Sequence, residues 1–576
     1  MKELLITLIF AINGFVDTQF IDYDTYLNKI INKDHYSCYI SKQQWDVLNF
    51  EEKKNLYSQT YFVSALGNSA NNGLSEQNPW SLAHAMSNAA PGDIFYVRAG
   101  NYGAVQQSMY QDGVEGNPIS FIGYKNKPGD IVARGGNSLQ QGGKNAIDPS
   151  EMPAIIGTIT DSRPNEENGL QFHVDYLVLR NFQFYGYFRP IQVRGHNAVV
   201  DNIYSSTSGT HNPSDLKNFS PSFPNGAYSG WGLILEGDYI KFSNCFILDA
   251  GAEGIKLIKS LNPRGYDNTV YTQKGVGPYT AHTKADGNGT DYAFLVSSNT
   301  EGGIFKNTKV IRSEGNVSPG HGIVVKPNEG KPATNHLFDG FYVRNSKIET
   351  QFPDCTYITF KNGILEDTDF DQRSEVHEAN IANGSRYVTI ENTVFINTRV
   401  VSKGWNEHIY SDSYTSAAVD AKIRNCLFIN KGSPYSPLAI GYSFPGELYE
   451  TKNLTIDHCT FAGGWSRLWE VDKPNKGVVF KNSIVDGIGA KYLAVYHDGP
   501  GKRGGTSGPF ELNIEYSFSN FSNGFAVPEG TSNTGYFPGF KDPENDDYSL
   551  TSDSPMKGMA EDGKDLGYLV NFVPSP

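Results

Sequence analysis

A chain of 576 residues with a formal net charge of −14, only 19% charged residues, 13% aromatics and 60 glycines is long enough to bury a large core. The acidic balance excludes a general nucleic-acid binder, because gripping phosphate takes dense Lys and Arg. The Gly-rich, aromatic, Met-poor composition excludes a helical bundle and points to a turn-rich all-β protein.

Taken in chain order, Lys2 precedes an apolar run from Leu4 to Phe15, the length of a signal-peptide core and too short to span a bilayer. Residues 1–17 are read as a signal peptide, which places the protein outside the cytoplasm: secreted, periplasmic or on the cell surface. Residues 18–59 are polar, rich in Lys and Asp, and read as a leader or cap segment. No later stretch approaches ~18 apolar residues, so no membrane span is expected. A short strand at Tyr61–Val63 and a helix over Ser81–Ala89 come next. An alternating strand at Ile94–Arg98 follows a Pro-Gly-Asp turn, and a further strand covers residues 118–124.

From about residue 170 the sequence repeats itself: a β-rich triplet runs into an Asn, then into another apolar pair. The Asn-like positions are Asn181, Asn202, Asn244, Asn307, Asn345, Asn362, Asn392, Asn425, His458 and Asn482. Separations of 21 residues from Asn181 to Asn202, 33 from Asn392 to Asn425 and from Asn425 to His458, and 24 from His458 to Asn482 fall in the 20–50-residue range of solenoids, in which each coil buries its inward residues only against its neighbours. An Asn recurring at a turn tolerates a left-handed backbone and can hydrogen-bond along the stack. Five cysteines, odd in number and without a CxxC pair, give neither a disulfide framework nor a zinc site. Cys245, Cys426 and Cys459 each follow the Asn-like position and are read as small buried residues of a stack; Cys38 and Cys355 stand outside that pattern. Two long segments, 203–231 and 261–292, interrupt the repeat and suit groove walls.

The stretch "YFVSALGNSANNG…NPWSLAHAM…PGDIFYVRAGNYG…NPISFIGY" is similar to the N-terminal cap and first coils of secreted right-handed parallel β-helix proteins of the pectate-lyase-like superfamily. "DDYSLTSDSPMKGMAEDGKDLGYL" resembles their closing segment. The resemblance spans residues 60–570 and implies a single all-β domain, a right-handed parallel β-helix with an N-terminal cap helix. It also implies a monomer whose partner is a polysaccharide, with no organic cofactor and with calcium as the ion used by pectate-type lyases of this kind. Asp249 and Glu253 in "FILDAGAEGIKLIKS" are the nearest calcium candidates, without the Asp-Asp pair of those lyases. The Arg-His-Gly signature of alginate and chondroitin lyases is absent as well. Such scaffolds carry lyases, hydrolases, epimerases, phage tailspikes and surface proteins, so the fold does not fix the reaction.

The chemistry has to come from outward positions on neighbouring coils. β-Elimination on a uronic acid polymer needs a base beside the carboxylate, a cation or donor to neutralise that carboxylate, and an acid for the leaving oxygen. Lys256, His321, Lys326, Arg373 and His377 have the right chemistry and form the expected cleavage site. Glu253, Lys259, Lys403, Trp405, His408 and Tyr442 are expected to contact substrate, and Trp465 and Trp469 are further candidate platforms for sugar rings. The bland alternatives are a solvated strand edge for Lys256 and Lys259 and an ordinary turn residue for His321. A glycoside hydrolase using a pair from Asp249, Glu253, Glu375 and Glu378 is the second reading. A non-catalytic carbohydrate-binding β-helix is the third.

Overall fold

The computed structural model describes residues 59–130, 147–158, 168–208, 230–272, 290, 292–313, 321–368, 378–404, 416–443, 450–471, 475–487, 492–496 and 513–569. Within them the chain winds as a right-handed parallel β-helix. Parallel pairing runs from Thr60–Val63 against Ile94–Val97 at one end to Ile484–Asp486 against Asn520–Ser522 at the other. The expected helix spans Leu82–Asn88, with the amide of His84 donating to the Ser81 hydroxyl at 3.3 Å, and it buries Leu82, Ala85 and Met86 over the first coils. The strands expected near 61, 94 and 118 are Thr60–Val63, Ile94–Arg98 and Ile119–Tyr124. The apolar run Leu4–Phe15 lies outside the described residues.

Among the described residues, thirteen strands form one sheet, and most of the other coil strands form a larger sheet, which turns one of its corners at a left-handed residue in each coil. At that corner Lys241–Ser243 leads into Asn244 at φ 53° and then into Phe246–Ala250. All ten residues singled out by the repeat adopt positive φ, from 49° at Asn392 to 65° at Asn181. That backbone costs an ordinary L-residue about 1–2 kcal/mol, and Asn offsets the cost with local hydrogen bonds. The bonds form a ladder: Asn202 Nδ2 donates to Asn181 Oδ1 at 2.8 Å, Asn392 to Asn362 at 3.2 Å and Asn425 to Asn392 at 2.7 Å.

Two details differ from the expectation. Asn345 belongs to the following corner, where it exchanges hydrogen bonds with Thr368. Its place in the ladder is taken by Gly340 at φ 74°, where a Cβ would lie 2.7 Å from Asn307 Oδ1. Nor is the repeat broken at 261: Arg264–Tyr266 and Thr269–Thr272 complete a regular coil. Likewise the strand Val199–Ser208 carries the repeat into the other long segment.

The core is a stack of aromatic and aliphatic side chains. Phe395, Phe428 and Phe461 lie ring over ring at 4.4 and 4.6 Å, and Phe338 lies over Phe360 at 4.9 Å. Cys245, Cys426 and Cys459 are fully buried in this stack, and burial pushes the Cys459 thiol far above its usual range. Trp465 and Trp469 are core residues too, fully buried, so neither is a sugar platform. The C-terminal segment forms the antiparallel pair Phe540–Asp542 and Asp547–Leu550 and packs along the side of the last coils, with Phe540 and Tyr548 against Leu427, Ile429 and Ala462. Beyond it, the amides of Gly567, Tyr568 and Leu569 donate to Asn482, Thr460 and Asn425.

Candidate functional site

The thirteen-stranded sheet carries the chemistry. Four of its neighbouring coils begin a strand with the same pattern of side chain, small residue and apolar residue. These are Trp231-Gly232-Leu233, Glu253-Gly254-Ile255, Tyr292-Ala293-Phe294 and His321-Gly322-Ile323. The small residue is forced: a Cβ at Gly254 would sit 2.4 Å from the Ala293 carbonyl oxygen, and one at Gly322 2.5 Å from that of Lys347. The leading side chains meet groups of the outer face: Trp231 lies by Lys256, Tyr292 meets Lys326 and His321 meets Glu349. Strand register then aligns Trp231, Glu253, Tyr292 and His321 in one row along the helix axis, about 4.8 Å apart per step.

Tyr292 and His321 are stacked, with ring centroids 5.1 Å apart and planes 26° from parallel. Each is held by a charged partner. His321 Nδ1 faces Glu349 Oε2 on the next strand, and Lys326 Nζ donates to the Tyr292 hydroxyl at 3.0 Å. Glu349 is fully buried. Burial alone would raise its pKa, but the charges of His321, Lys403 and Lys347 and the His321 hydrogen bond hold it down at about 2. Asn380 Nδ2 also donates to Glu349 Oε1 at 3.3 Å.

The network continues along the sheet. Arg399 bridges Glu378 at 2.8 Å and Glu470 at 2.7 Å, Lys403 lies 3.5 Å from Glu378, and Arg467 lies 3.0 Å from Glu470. Glu378 is buried, which raises its pKa, yet Arg399, Lys403 and Lys347 bring it below the usual carboxylate range. The Glu349, Glu378 and Glu470 side chains are 0%, 4% and 5% exposed, against 22% for His321, 16% for Lys403 and 27% for Arg467. The carboxylates share the floor with Arg399 and Lys347, which are equally buried, while His321, Lys403 and Arg467 reach toward the solvent.

Among the sequence candidates, His321 and Lys326 meet in this cluster around Tyr292, with Lys403 further along the same face. Lys256 sits one stage away, its ammonium 3.0 Å from Glu253 and 5.7 Å from the Trp231 ring centroid. Leu295 and Val324 separate it in register from Glu349. Lys259 lies past the strand end at φ 47°, exposed and paired with Glu236 at 2.8 Å, away from the cluster. Tyr442 is in register with Lys403. Arg373, His377, Trp405 and His408, and the hydrolase candidate Glu375, lie outside the described residues.

Asp249 is fully buried at φ 52° in a strand of the larger sheet, whereas Glu253 is on the thirteen-stranded sheet and neutralised by Lys256. Among the described residues no group of three or more His, Cys, Asp and Glu side chains is arranged to hold a metal ion. Calcium takes six to eight oxygens, carbonyl and amide oxygens among them, and no step below is routed through it.

Tyr292, Lys347, Glu349, Arg399 and Glu470 were not among the sequence candidates. Tyr292 was hidden at the end of an apparent long loop. The repeated side chain–small–apolar pattern is the signal that would have found it.

No family model and no curated protein matches the chain. Among solved structures it is similar to a mannuronic acid specific polysaccharide family 6 lyase enzyme from human gut microbiota. That likeness has 13% identity and a TM-score of 0.44 over 76% of this chain and 91% of the other. The N-terminal fragment of gene product 12 of bacteriophage Phi29 is similar at 10% identity and a TM-score of 0.42, over 77% and 66% of the two chains. Pectate lyase Pel9A is similar at 10% identity and a TM-score of 0.32, over 88% and 96%. What the face of this solenoid does has to follow from its own residues.

Proposed function

We propose that the protein is a polysaccharide-degrading enzyme that cleaves an acidic polysaccharide by β-elimination on the outward face of the thirteen-stranded sheet. The observation that carries this reading is the stacked pair Tyr292 and His321, each held by a charged partner. With Nδ1 engaged by Glu349, His321 has Nε2 for the proton beside the substrate carboxylate. Glu349 orients the ring and stabilises the imidazolium that forms. The Tyr292 hydroxyl is the acid for the leaving oxygen, and Lys326 stabilises the phenolate left behind. Lys403 is the cation for the substrate carboxylate. A solvent side made of nitrogen groups over withdrawn carboxylates suits a polyanion.

The hydrolase reading is weaker on the same residues. It needs one carboxyl with a raised pKa to protonate the leaving oxygen, and Glu349 and Glu378 are both held low by cations. Export follows from the Lys2 and Leu4–Phe15 pattern, and N-terminal sequencing of protein recovered from the medium tests it. The catalytic reading is tested by incubating the purified chain with a panel of polyuronates. Appearance of the ultraviolet absorbance of unsaturated uronate ends supports it; new reducing ends without that absorbance would refute it.

A further inference from the structure

The placement of the two reacting groups selects among uronic acids, an inference that rests on the elimination reading above. Eliminating a 4-linked uronate removes H5 and the C4–O4 bond. In D-glucuronate and D-mannuronate these lie on the same side of the sugar ring. In D-galacturonate and L-guluronate they lie on opposite sides, so base and acid must stand on opposite faces of the sugar. Tyr292 and His321 cannot do that. Both rise from the sheet floor on adjacent strands, in register, with centroids 5.1 Å apart. A sugar ring between them would need contact distances of about 3.5–4 Å on each side, or roughly 7–8 Å in all. Their far ends are also tied down, His321 by Glu349 and Tyr292 by Lys326, which resists opening the pair.

We infer that the site performs syn elimination and takes 4-linked uronates whose H5 and O4 are cis, the gluco and manno configurations. In the step, His321 Nε2 accepts H5, and the C5–H electron pair becomes the C4=C5 double bond. The C4–O4 bond breaks, and O4 takes its proton from the Tyr292 hydroxyl. The imidazolium then releases its proton and the phenolate regains one from water. No oxidant or co-reactant is needed. Trp231 and Glu253 continue the row on the two preceding strands, with Lys256 beside them, where the neighbouring sugars of a polymer would run.

The experiment compares initial rates of unsaturated-product formation by the full chain on four homopolymers: glucuronan, polymannuronate, polygalacturonate and polyguluronate. The expected result is that the better cis polymer outruns both trans polymers by at least about 100-fold, the scale of one misplaced general acid or base. A trans polymer cleaved as fast or faster overturns the syn assignment while leaving elimination standing. Absence of unsaturated product from all four overturns the elimination reading, and this inference with it. On the better cis polymer, Tyr292→Phe should lower kcat by about 10²-fold or more with KM little changed; an unchanged kcat removes Tyr292 from the step.

Discussion

Tyr292 and His321 sit opposite one another on neighbouring parallel strands, with their rings stacked at 5.1 Å and 26°. The contact exists because the strand register sets the two residues directly opposite each other on adjacent coils. Lys326 and Glu349 then fix the two outer ends.

Removing either reacting group should separate catalysis from folding. His321→Gln and Tyr292→Phe each keep a planar group in the stack, so thermal midpoints should change little. Turnover on the best substrate should fall by about 10²–10⁴-fold, the usual worth of one general acid or base. Near-normal turnover in either variant would show that the reacting groups lie elsewhere on the face.

The Glu349 carboxylate has a pH signature. Its pKa in the folded chain, about 2, lies below the ordinary value of 4.5. Its contribution to stability is therefore complete above 4.5 and is lost as pH falls toward about 2. Glu349→Gln lacks that contribution at every pH. The gap between the denaturant midpoints of wild type and variant should be widest above 4.5 and should close on acidification. A gap independent of pH would contradict the ion-paired state.

The Asn ladder should matter to stability and not to chemistry. Asn392→Ala removes bonds to Asn362 and Asn425 and puts a non-Gly, non-Asn residue at φ 49°. The cost should be roughly 2–3 kcal/mol, adding backbone strain to lost hydrogen bonding. Asn392→Gly, free of the strain, should lose less. Equal losses for the two would mean that the backbone conformation is not what Asn supplies.

Trp469 offers the reverse control. It lies in the solenoid core with no exposed surface. Trp469→Phe should lower stability by roughly 1–3 kcal/mol and leave KM on any polysaccharide unchanged. A raised KM with unchanged stability would return Trp469 to the substrate groove.

The winding was legible because each coil must turn its corner with a left-handed residue, and Asn is the side chain that does so at low cost. The reading slipped at Asn345, which serves the next corner while Gly340 takes the ladder position of that coil. His321, Lys326 and Lys403 were legible as charges at the ends of apolar runs. Glu349 was not, since "SKIETQ" reads as the tail of the preceding Asn strand, yet Ile348–Gln351 is a strand of its own. Arg399 and Glu470 look like solvent-facing charges in sequence, and only the winding of the coils brings them together at 2.7 Å. Trp469 misled for the opposite reason: a large aromatic beside charged residues suits a groove as well as a core.

The most direct test is the fate of the scissile bond. The full chain is incubated with the polyuronate it cleaves best in heavy-oxygen water, and the oligosaccharides are weighed by mass spectrometry before their ends exchange. Elimination by Tyr292 and His321 gives new non-reducing ends one water lighter than hydrolysis would, with no heavy oxygen incorporated on cleavage. Fully hydrated ends carrying heavy oxygen would contradict it.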